Sequence, residues 1–209
     1  MQIACASNER QIAIACLAYV ADNRGVLPIP FSGFENSSNP NAAIKPFQAI
    51  YLADWGMIDW EQGTLWANIP GGEYARRRLF NCPREGIELH PYIEPNNVVA
   101  GYANFSYMFS AEMCLWSGTP GVDANFGLQM SRIHHADHKM ILMEPWGPGS
   151  IEGMPVSFSP TLTHRHSGKA NVAFADSHVE LLAPEVFAAS ATGIGTPAMD
   201  HYFDFMSDD

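Results

Sequence analysis

The sequence predicts an α+β fold in which one long N-terminal helix precedes a mostly antiparallel sheet with long loops. Three observations carry that prediction. The opening segment QIACASNERQIAIACLAYVADNRGVLP sets Ile12, Ala15, Cys16 and Tyr19 at the i, i+3, i+4, i+7 spacing of a helix face. Residues 55 to 160 read as short apolar runs divided by the turn sequences PGGE, EPNN, SGTPG and GPGS. The segment HSGKANVAFADSHVELL, residues 166 to 182, alternates apolar and polar side chains as a half-buried hairpin does.

In chain order, a helix is expected over residues 2 to 23, stopped by Gly25 and Pro28. Its second half is apolar nearly all round, which calls for packing on more than one side. A loop over 26 to 45 leads to a short helix from Pro46 to Asp54, with proline at the favoured first-turn position. EYARRRLF is compatible with a helix, and a solvated face accounts for its Arg76, Arg77 and Arg78. Strands are expected at ANFSYMF (103 to 109) and KMILME (139 to 144), and PEVFAAS suggests one more helical turn. In the hairpin, a two-residue turn at Asp176-Ser177 pairs Ala175 with His178, Phe174 with Val179, Ala173 with Glu180 and Val172 with Leu181. That register gathers Val172, Phe174, Val179 and Leu181 on one face.

Bulk composition narrows the function. With 209 residues and 47% hydrophobic composition, the chain can bury one sizeable core. We read it as one domain over 1–209: helix 1–25, variable loops and strands 26–160, hairpin motif 161–190 and acidic tail 191–209. Twenty-two acidic residues against eleven basic ones give a net charge of −11, which repels phosphate backbones and anionic headgroups, so nucleic acid is not an expected partner. The longest apolar run, residues 12 to 21, is half the length a membrane-spanning helix needs. Of the four cysteines, Cys5 and Cys16 sit roughly 16 Å apart along one helix and cannot bridge. Cys82 and Cys114 are able to pair through the fold, and four buried free thiols are the alternative.

The residues with metal-ligand chemistry are His164, His166, Asp176 and His178, whose His-x-His and Asp-x-His spacings would converge on one ion if the chain folds back. The competing reading has His166 hydrogen-bonding backbone around the hairpin. HHADH, residues 134 to 138, is a second cluster with ligand-type residues, read as a polar loop or a crowded surface. No nucleophile elbow, phosphate loop, dinucleotide fingerprint or His-Glu-x-x-His is present, so catalysis has no sequence support. Trp55, Trp60, Trp66, Trp116 and Trp146 are core aromatics by default; exposed, they would stack on sugars as a glycan-binding tip.

Arg165, His166, Gly168, Ala170, Asn171, Val172, Phe174, Ala175, Asp176, His178 and Val179 resemble the C-terminal motif of prepilin-type, pseudopilin-like proteins of the planctomycete type, a histidine, nine residues and Asp-Gly. These are related to the major pseudopilin of type II secretion. Ser177 stands where that family has glycine. CASNERQIAIACLAYVADNRGVLP resembles the helix that follows the family's membrane anchor, LFNCPRE with Cys82-Pro83 its FxCPxD turn, and KMILMEPW with Glu144 the strand before the histidine motif. The resemblance spans residues 3 to 187. It implies a pilin-like fold and a non-enzymatic filament subunit of a type II secretion or type IV pilus-like system, stacking through its N-terminal helix with copies of itself or other pseudopilins. It further implies a soluble piece that starts just past an anchor, an envelope location, and a possible structural calcium for which Asp176, Asp200 and Asp204 are donors of the right kind. No other cofactor is expected. A metal-dependent enzyme on His164, His166, Asp176 and His178, and a surface glycan- or ligand-binding module, are the alternatives from other classes.

Overall fold

The computed structural model describes residues 2–28, 51–53, 57–59, 65–83, 106–110, 128–144 and 162–185. Helix α1 runs over Gln2–Asp22, one residue short of the expected end. Its predicted stripe is the one that goes inside: Ile12, Ala15, Cys16 and Tyr19 are buried, with Cys5, Glu9, Ala13 and Val20 beside them. The C-terminus closes as a Schellman-type cap, in which the Gly25 N–H donates to the Val20 carbonyl at 2.9 Å while Arg24 takes the left-handed conformation at φ 57°. The Asn23 side chain donates to the Tyr19 carbonyl at 2.8 Å and holds one more of the last turn's carbonyls.

A four-stranded antiparallel meander receives the helix, in the order β3 (Met108–Phe109), β4 (Met140–Met143), β5 (Ala170–Phe174) and β6 (Val179–Leu182). Central strand β5 is buried on both faces. Ala173 and Ala175 share one core with α1, Phe109, Ile141 and Leu142, and their small side chains let the helix lie close to the sheet. Ala170, Val172 and Phe174 point the other way, into a second cluster with Met140, Met143, Leu162 and Leu182. A bulge between Met140 and Leu142 shifts the β4–β5 register. Helix α2 (Glu73–Leu79) confirms the expected helical EYARRRL segment, with the Arg76 guanidinium over the Trp66 ring at 5.2 Å.

Three expectations are corrected. Residues 51–53, assigned to a helix, instead form β1 (Tyr51–Ala53), which pairs with β2 (Met57–Asp59) as a separate hairpin. A Pro at a first-turn position is weak support for a helix when Tyr, Leu and Ile follow, since these extend as readily as they coil. The C-terminal hairpin is displaced by one residue: Ala173 faces Val179, Val172 faces Glu180 and Asn171 faces Leu181. Its loop holds three residues, Ala175 to Ser177, closed by the Ser177 N–H donating to the Phe174 carbonyl at 2.8 Å with Ser177 at φ 73°. The two-residue turn lies upstream at Ser167-Gly168, both at positive φ, where His166 and Lys169 exchange backbone hydrogen bonds of 2.9 and 3.2 Å. Finally, Cys82 bonds not to Cys114, which lies outside the described residues, but to Cys5, with Cα atoms 5.1 Å apart; among the described residues Cys16 is a free, buried thiol. Residues 186–209, with Asp200 and Asp204, also lie outside the described residues, as do Trp55, Trp60, Trp116 and Trp146.

Candidate functional site

Local geometry brings four chain segments to one buried point beside the first turns of α1. Cys5 enters from the helix. Cys82 enters from the residues after α2, where its N–H donates to the Ser106 hydroxyl at 2.7 Å and the Asn8 side chain donates to the neighbouring Asn81 carbonyl at 3.0 Å. Glu144 closes β4, and the Thr163 N–H donates to its carbonyl at 3.0 Å. His166 is aimed inward by the tight Ser167-Gly168 turn.

These side chains meet. The His166 Nε2 lies 2.8 Å from Glu144 Oε1 and 3.9 Å from Cys82 Sγ. Glu144 is fixed from behind by the Asn171 N–H, which donates to Oε2 at 2.9 Å. One ligand atom from each of Cys5, Cys82, Glu144 and His166 lies within 4.8 Å of the others, and all four residues are buried. Above them the Glu9 carboxyl is fully buried with neither oxygen hydrogen-bonded, and His166 Nδ1 is likewise unpartnered. Burial, followed by the nearby negative charge of Glu144, holds the Glu9 carboxyl well above the ordinary carboxylate range, against an opposing pull from Arg165. Burial raises the Tyr107 phenol too, with Glu9 and Glu144 adding to the effect. The site is thus a buried cluster of a disulfide, an imidazole and two carboxyl groups.

The four residues singled out as ligands do not assemble. His166 is buried at the site, whereas His164 is exposed. Asp176 and His178 form their own pair on the surface, Nδ1 to Oδ1 2.6 Å, and the His178 N–H donates to the same oxygen at 3.0 Å. The His178 ring stacks on Phe174 with centroids 4.3 Å apart, so this pair shapes the turn. The competing reading of His166 is also altered: its ring meets a carboxylate rather than backbone. HHADH does bring His135, Asp137 and His138 together, in an exposed loop.

The residues that sequence reasoning missed, Cys5, Cys82, Glu144 and Glu9, are far apart along the chain. All four lie in the segments that carry the pseudopilin resemblance, and that was the available signal. No protein-family model matches the chain, and no curated protein or solved structure is similar to it.

Proposed function

We propose that this chain is a non-enzymatic, pilin-like subunit that stacks into a filament of the cell envelope through its N-terminal helix, with copies of itself or related subunits. The observation that carries this reading is a second apolar stripe on α1. Ile14, Leu17, Ala18 and Ala21 repeat at i, i+3, i+4, i+7 on the side turned away from the sheet, and they are exposed or only partly covered, Ile14 at 49%. A helix that needed only its own sheet would be polar there. Small residues interleaved with branched ones suit close packing of one helix on another. Among the described residues no helix is long and apolar enough to cross a membrane.

Two further features support a structural role. The segments resembling the pseudopilin family are those that converge on the buried cluster, which acts as a clamp between helix, sheet and loop. That cluster is also buried and its two cysteines are joined by a disulfide, as suits a fastening within the fold.

The test is assembly in the source cells. Ile14→Asp should remove the protein from sheared surface filaments or membrane-bound polymers while its cellular level and melting temperature stay near wild type, as an exposed substitution moves stability by only about 0.5 kcal/mol. Wild-type chain recovered only as a monomer, in cells making their full set of filaments, would refute the proposal.

A further inference from the structure

The geometry points to a redox-gated site for one zinc-like divalent ion at Cys5, Cys82, Glu144 and His166, closed when the two cysteines are joined and open when they are reduced. Independent of the filament reading, it rests on three observations. Two sulfurs, an imidazole nitrogen and a carboxylate oxygen already lie within 4.8 Å of one another. A tetrahedral zinc ion with bonds of about 2.3 Å to sulfur and 2.0 Å to nitrogen sets such atoms about 3.5 Å apart, so the 3.9 Å between Cys82 Sγ and His166 Nε2 needs only a small adjustment. Asn171 holds both oxygens of Glu144, its N–H donating to Oε2 at 2.9 Å and its side-chain amide to Oε1 at 3.5 Å, while Oε1 faces His166 Nε2, the arrangement by which a supporting residue orients a ligand.

The orphaned groups supply the third observation. Glu9 and His166 Nδ1 are buried with unpartnered polar atoms. A divalent cation would compensate the buried carboxylate of Glu144 and give the buried imidazole a partner. Gln2, Ile3 and Ala4, on the helical turn that carries Cys5, are exposed, so the cluster lies one turn from solvent.

The chemistry balances with an external dithiol as reductant. It donates two electrons and two protons, becomes a disulfide itself, and leaves Cys5 and Cys82 as thiols; both thiol protons, with the Nε2 proton if present, pass to solvent as the metal binds. The exposed His135 and Asp137, with the half-buried His138, are the internal rival, offering no sulfur.

Cobalt(II) serves as a coloured probe for zinc. The full chain, reduced and kept free of oxygen, should bind one cobalt per molecule with thiolate-to-metal charge transfer and tetrahedral visible bands, zinc should displace it, and the oxidised chain should show neither. Cys82→Ser and Glu144→Gln should each weaken binding at least about tenfold. If reduction unfolds the chain, zinc should restore the helical circular dichroism. A folded reduced chain without stoichiometric cobalt, cobalt bound without thiolate charge transfer, or an unfolded reduced chain that zinc does not restore would each overturn the assignment.

Discussion

Ser177 shows how one side chain reports its turn. A serine at φ 73° occupies a backbone region where L-residues lose roughly 1 kcal/mol to glycine. Ser177→Gly should therefore raise the melting temperature by about 2–4 °C in a chain of this size, read by a thermal melt. A fall would mean that the loop is not the three-residue type. Glu9 gives the pH dependence. Its folded pKa lies above the unfolded one, so the folded chain holds a proton that the unfolded chain releases. Stability from this group is fully present below the unfolded value of 4.5 and is lost as pH rises through the folded pKa. Glu9→Gln, facing Glu144 and Arg165, should accordingly melt higher than wild type at neutral pH, with the gap closing on acidification below the ordinary carboxylate range. An unchanged gap across that titration would show that the carboxyl ionises freely in the fold. His166 was legible as a special residue, but its partner was not, because Glu144 precedes it by 22 residues and only the sheet brings them together.

At the scale of elements, α1 was readable because its period survives regardless of what packs on it: the predicted stripe and the buried stripe coincide. The hairpin was readable as a hairpin yet not in its register. Alternation fixes register when one face is wet, and β5 is buried on both, so Ala173 and Val172 are equally at home on either side. The α1–β5 contact rests on small side chains, and Ala173 lies fully buried there. Ala173→Leu should destabilise by about 1–3 kcal/mol in a denaturant titration through overpacking. The same change at Glu180, which is exposed on β6, should cost far less.

For the molecule as a whole, the Cys5–Cys82 bond closes a loop with a sequence separation of 77 and ties the helix to the chain beyond α2. Chain entropy assigns such a bridge about 4–5 kcal/mol, so the reduced, metal-free chain should melt well below the oxidised one. Sequence alone ruled out Cys5 with Cys16 from helix rise, but it had no measure of the through-space approach of residues 5 and 82. The α+β class was legible from order and periodicity; the clamp was not, since each of its residues has an ordinary setting in its own segment. Assembly through the outer face of α1 is the central claim, and site-directed photo-crosslinking in the source cells tests it most directly. A photoactivatable phenylalanine analogue at position 14 should give a ladder of covalent multimers whose joined peptides map to α1 of a second copy or of a related subunit. The analogue at Tyr74, exposed on α2 at 71%, should give none. Monomer alone from position 14, or joined peptides mapping away from α1, would contradict the account.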